Sequence, residues 1–148
     1  MASTTQTCSL AQPGVIPLGN HGINVLVGGY AGALSTSGSA RLLMARIPAT
    51  ATRVQVTAHI AAGGAATQVL NFGLIPELAG TNTISASVFG TVNCTACAGM
   101  VMFMSPSVDV STRWNDAVGE KYKTVFASLQ SGTVTASFCL NYQITYSF

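Results

Sequence analysis

The sequence predicts an all-β fold: a two-sheet antiparallel β-sandwich or jelly roll of about eight strands, preceded by an extended N-terminal arm. Three observations carry this. Apolar residues recur with a period of two and show essentially no helical period. Turn-forming residues fall at intervals of roughly 8 to 15 residues, the spacing of short strands rather than of β-α-β units. The last stretch, 133–148, alternates without a slip, and a slip of one residue would turn its whole apolar set to solvent. The length, 148 residues, fits one domain with a core of its own.

That last stretch shows the reasoning most plainly. Val134, Ala136, Phe138, Leu140, Tyr142, Ile144, Tyr146 and Phe148 fall on one side of an extended chain. Between them lie Thr133, Thr135, Ser137, Cys139, Asn141, Gln143, Thr145 and Ser147, a surface of hydroxyls and amides. Burying the larger side chains of the first set is worth on the order of 10 kcal/mol before ordering entropy is subtracted. Fully extended, the segment reaches roughly 50 Å, about two to three times an ordinary strand. It is therefore expected to bend, bulge, change sheets or reach outside its own domain.

In chain order, residues 1–20 read as the arm and 21–148 as the sandwich. Pro13-Gly14 and Pro17 oppose regular structure, yet Leu10, Val15, Ile16 and Leu18 are apolar residues that a merely solvated tail would not need. The expectation is an arm docked on its own sheet or on a neighbouring subunit, the other reading being a disordered terminus. Residues 23–27 form a short apolar strand, and Gly28-Gly29-Tyr30-Ala31-Gly32 with 35–39 read as turns or loose loop. Residues 40–47 are the next apolar segment, stopped by Pro48.

The stretch 53–60 alternates clearly, with Val54, Val56, Ala58 and Ile60 on one side and Arg53, Gln55, Thr57 and His59 on the other. Residues 61–66, around Gly63-Gly64, read as a flexible hairpin-type loop, and 68–75 as a strand closed by Pro76. Gly80-Thr81-Asn82 is a turn, 83–89 alternates through Ile84, Ala86 and Val88, and 90–99 reads as a loop. Met100–Met104 is continuously apolar, which predicts a strand covered on both faces. Residues 106–119 are the longest irregular stretch, with room for one short helical turn, and 121–129 is the penultimate strand. Gln130-Ser131-Gly132 is expected to fold it back on the last strand as a hairpin.

Composition narrows the function. The chain is 49% hydrophobic and only 7% charged, against about 25% charged in an ordinary domain. Charge keeps proteins apart and guards sheet edges, so such a surface suits a subunit packed among neighbours, the alternative being a secreted domain that tolerates low charge. The basic residues Arg41, Arg46, Arg53, Arg113, Lys121 and Lys123 are scattered and leave a net charge of +2, far short of the basic stripe that nucleic acid demands. No apolar run approaches the roughly 18 residues of a membrane span, and residues 1–7 lack the basic and apolar regions of a secretory signal.

Chemistry-bearing clusters are sparse. Cys94-Thr95-Ala96-Cys97 has the spacing of half a zinc knuckle or a redox pair, but the further ligands would have to come from Cys8, Cys139, His21 or His59, none of which forms a second spaced pair. Free thiols are the plainer reading, and no cofactor or metal is expected. Glu77, Asp109, Asp116 and Glu120 do not form a calcium loop, and no acid–base pair at glycosidase spacing stands out. No elbow motif picks out a nucleophilic serine for His21 or His59. Asn93-Cys94-Thr95 matches a glycosylation sequon, a short pattern that arises by chance. Tyr142 and Tyr146 lie on the apolar face of the last strand and are expected in the core; Trp114, beside Arg113, is the aromatic best placed as a contact anchor.

A Ser/Thr/Ala/Gly-rich, charge-poor chain with a proline-containing arm and long alternating strands resembles small virion proteins of tailed bacteriophages, and among them capsid decoration (cement) proteins most. The resemblance is one of overall pattern and transfers no functional residues. It implies a β-sandwich or jelly-roll core, commonly trimeric, seated on the major capsid protein at the capsid surface and bracing the head against internal DNA pressure. Such a protein is made in the host cytoplasm. The expected function is thus non-enzymatic and structural, with Leu10, Val15, Ile16, Leu18, Arg113 and Trp114 as contacts to virion proteins. The rival is a carbohydrate- or receptor-binding sandwich module of a phage fibre or tail.

Overall fold

The computed structural model describes residues 5–7, 23–33, 41–61, 68–76, 85–94, 100–110, 121–131 and 138–148. Among them are ten strands and no helix: β1 (Thr5–Thr7), β2 (Asn24–Ala31), β3 (Arg41–Pro48), β4 (Arg53–Ala61), β5 (Gln68–Pro76), β6 (Ser85–Cys94), β7 (Met100–Met104), β8 (Val108–Asp109), β9 (Tyr122–Ser131) and β10 (Cys139–Ser147). They form two sheets, ordered β1-β3-β9-β5-β6 and β2-β10-β4-β7, with β8 continuing alongside β4. Leaving out β1 and β8, every step along the chain changes sheet except β5 to β6, which is the wiring of a jelly roll. Every pairing is antiparallel except that of β1, which lies parallel to β3 from Thr5↔Arg41 to Thr7↔Leu43.

The alternation read from sequence places the core. Val54, Val56, Ala58 and Ile60 of β4 are fully buried, as are Leu140 and Ile144 of β10, and Phe138, Tyr142 and Tyr146 are at most 2% exposed. They meet Leu42, Met44 and Ile47 of β3, Leu70, Phe72 and Leu74 of β5, and Val125, Ala127 and Leu129 of β9. Two contacts show how the sheets meet. The rings of Phe72 and Phe103 stack at 4.8 Å. The Tyr142 hydroxyl donates to the Met44 carbonyl, at a register shift that leaves Met44 without an opposite partner on β9. Gly28, paired with Tyr142, leaves room for that ring: a β-carbon there would sit 2.4 Å from the tyrosine oxygen.

Lys123 is fully buried at one end of the sandwich. Its ammonium donates to the carbonyls of Ala49 (3.1 Å) and Val110 (3.4 Å), tying the turn after β3 to the end of β8. A buried ammonium without such acceptors would be costly.

Several expectations are corrected. β9 and β10 do not form a hairpin; β9 lies between β3 and β5, and β10 between β2 and β4, in the other sheet. For the same reason 61–66 does not close a hairpin, since β4 and β5 belong to different sheets. Turn residues between two strands do not reveal which sheet the second strand joins. Gly28-Gly29-Tyr30-Ala31 is not a loop but the second half of β2, held by pairing to β10. β6 runs on to Cys94 through Gly90, whose φ of 118° favours glycine. Within the stretch read as irregular, Val108–Asp109 pairs with β4. Phe148 is 41% exposed instead of completing the apolar wall. Val134, Ala136 and Ile84 lie outside the described residues.

Candidate functional site

The outer face of the β2-β10-β4-β7 sheet is where the molecule presents chemistry to its surroundings. Strand register sets it out in rows: Val25, Thr145, Gln55; then Val27, Gln143, Thr57, Met104; then Gly29, Asn141, His59, Met102. The middle of the sheet is polar and its two margins are apolar. On one margin Ile23, Val25 and Val27 are 77%, 51% and 69% exposed; on the other Met102 and Met104 are 69% and 68% exposed.

These margins follow from sequence runs that are apolar at consecutive positions. In β2, Leu26 and Tyr30 turn inward against the core while Val25 and Val27 turn out. In β7, Phe103 turns inward onto Phe72, and Met102 and Met104 turn out. The expectation that Met100–Met104 is covered on both faces is therefore overturned for the single chain: β7 is an edge strand with one face bare. The signal was present in the run itself, since an uninterrupted apolar strand is ordinarily buried on both sides.

The join between β7 and β8 is held by Ser105. Its N–H donates to the Val56 carbonyl, its Oγ accepts from the Val56 N–H, and Oγ donates to the Pro106 carbonyl, each at 2.9 Å. The serine thus keeps β4 hydrogen-bonded where β7 ends. Gln55 adds a bond from its amide nitrogen to the Ser105 carbonyl at 2.9 Å.

At the β8 end of the face lies an open hollow of about 250 Å³ lined by Ile23, Arg53, Gln55, Ser107, Thr145, Tyr146 and Ser147. Its donors suit a polar group, and burial pushes the Tyr146 phenol above its ordinary range. The aromatic here is buried, its ring edge-on to Phe148 at 6.1 Å, so it offers no flat exposed ring of the kind a sugar stacks on. Tyr142 and Tyr146 are in the core, as expected.

Of the residues expected from sequence to make contacts, Leu10, Val15, Ile16, Leu18, Arg113 and Trp114 all lie outside the described residues, as do Cys8, His21, Glu77, Cys97, Asp116 and Glu120. His59 is exposed in the polar middle of the face, and Cys139 is a half-buried free thiol. Asp109 sits opposite Arg53 across β8 and β4. Among the described residues no three His, Cys, Asp or Glu side chains converge on a metal position, and no helix is long and apolar enough to cross a membrane. The exposed residues Ile23, Val25, Val27, Met102 and Met104 were not singled out from sequence.

No family model and no curated protein matches the chain. Among solved structures, it is similar to a chain from the capsid of Ralstonia phage GP4, over 97% of both chains, with a TM-score of 0.66 and 14% identity. At that identity the likeness establishes a shared fold along the whole length. A looser similarity, to a chain of desmodium yellow mottle tymovirus, covers 88% of this chain and 91% of that one at a TM-score of 0.31 and 14% identity.

Proposed function

We propose that the protein is a non-enzymatic structural component of a phage virion, a decoration (cement) protein that stabilises the head by many modest contacts. The observation that carries this reading is the pair of bare apolar margins on one sheet, Ile23, Val25 and Val27 against Met102 and Met104, in a chain with 7% charged residues. Exposed apolar side chains grouped on one face mark a surface meant to be covered. The shared fold with a chain of a phage capsid supports the same reading.

In this reading the partners are the major capsid protein, other virion proteins and further copies of the chain, grouped as a trimer once seated on the head. Each contact adds through effective concentration on the lattice, so weak individual interfaces suffice. The arm residues Leu10, Val15, Ile16 and Leu18, and Arg113 with Trp114, serve as additional contacts. The location is the outer surface of the capsid.

Co-sedimentation with phage heads stripped of decoration protein tests this. The intact chain should pellet with heads at a fixed, saturating ratio, and a chain lacking residues 1–18 should stay folded yet remain in the supernatant. An intact chain that stays in the supernatant would overturn the reading.

A further inference from the structure

Among the described residues five strands stand at sheet edges, and four of them carry a feature that blunts an edge. β1 is three residues long and β8 two. β6 is broken by a register shift against β5 and by Gly90 with its positive φ. β7 is five residues long and ends at Ser105-Pro106. β2 has none of these. It runs eight residues in unbroken register with β10, from Asn24↔Tyr146 to Ala31↔Cys139, with no proline, no charged residue and no bulge. On its far side, residues 25–29 have no strand beside them among the described residues. Both of its faces are apolar, Leu26 and Tyr30 inward and Ile23, Val25 and Val27 outward.

We propose that β2 pairs antiparallel with β2 of a second copy about a twofold axis through Val25, joining two sheets into one continuous sheet across the dimer. Three features of the strand favour its own copy as the occupant. An uncharged strand meets itself without the like-charge contact that would otherwise penalise self-pairing. A twofold contact uses one patch twice, and the patch supplies both partners. Registers that keep outward residues opposite outward residues are limited by the period of two. In the register about Val25, Ile23 faces Val27 of the second copy and Val25 faces its own equivalent, so all six outward aliphatic side chains form one cluster.

In this register residues 23–27 of the two copies pair, extending about 17 Å, and both faces of such a seam bury roughly 300 Å² per copy, well below the roughly 800 Å² of a standard stable interface. The dimer is therefore weak and concentration-dependent in solution, and gains strength where neighbours are already held side by side. This inference does not depend on a head being present, so it stands or falls apart from the proposed virion role.

The test uses the purified full chain. Light scattering across a concentration series should show the mass doubling as concentration rises. Val25→Lys and Val25→Glu should each weaken that association at least tenfold while leaving the circular dichroism spectrum and melting temperature nearly unchanged. Mixing the two variants should restore it, because opposite charges then face each other across the axis. Under mild oxidation Val25→Cys should give a disulfide-linked pair well above the wild-type background, since directly opposed strand residues lie within disulfide reach; Val27→Cys should not. A mass that ignores concentration, association untouched by either charged variant, no rescue on mixing, or equal cross-linking at positions 25 and 27 would each overturn the proposal. The last outcome would point to head-to-tail pairing with a different edge.

Discussion

The outer faces of the two sheets treat their apolar side chains in opposite ways. On the β3-β9 side, Phe126 points away from the core residues Val125 and Ala127, yet it is only 1% exposed. The Arg41 guanidinium lies 5.5 Å from its ring centre, and Arg46 lies 4.1 Å over the ring of Tyr122. Arginine covers apolar surface with its stem and engages ring faces with its head. On the other sheet, Val27 and Met104 share a row with Gln143 and Thr57, which leave both at least two-thirds exposed. Facing away from the core therefore does not make a side chain available. Two of the chain's six basic residues lie over rings on one face, and the apolar margins of the other are left for something outside the chain.

Substitutions that break each side of this contrast should differ in size. The largest effect should come from Phe126→Ala, which removes a buried ring and should destabilise by about 3–5 kcal/mol in urea unfolding. A change below about 0.5 kcal/mol would mean that Phe126 behaves as a surface residue and that the contrast is false. Next, Tyr142→Phe leaves the Met44 carbonyl without its donor and should cost about 1–3 kcal/mol, read from the same unfolding curves. Arg46→Ala should cost about 1 kcal/mol through the lost ring contact with Tyr122, visible as a small shift in the urea midpoint. The smallest effect on stability, within about 0.5 kcal/mol, should come from Val27→Ser, because that side chain is already in water. The same variant should nonetheless weaken binding to heads in the pelleting assay.

How far sequence reached depends on which force fixes each feature. Burial along a strand is local and periodic, so Val54 to Ile60 and Leu140 to Tyr146 were legible residue by residue. Strand order is not local. The chain from Gln130 onward carries hairpin-like turn residues, but β9 and β10 are drawn to different sheets by partners far away in sequence. Gly28-Gly29 read as a loop because glycine is a weak strand former; Tyr142, which requires the missing side chain at Gly28, lies more than a hundred residues later. The candidate surface was half legible. The run Met100–Met104 promised a strand covered on both sides, and the missing cover turned out to be the informative part. The contacts proposed from the arm and from Arg113 and Trp114 fall outside the described residues and rest on sequence alone.

Methionine oxidation measures the central claim directly, because the chain carries its own internal control. In the free protein, dilute peroxide should oxidise Met102 and Met104 quickly and leave the fully buried Met44 intact. Bound to heads, Met102 and Met104 should become as resistant as Met44 when peptides are quantified by mass spectrometry. Equal oxidation of Met102 and Met104 in the free and bound protein would show that this face stays in solvent on the particle, and would contradict the account.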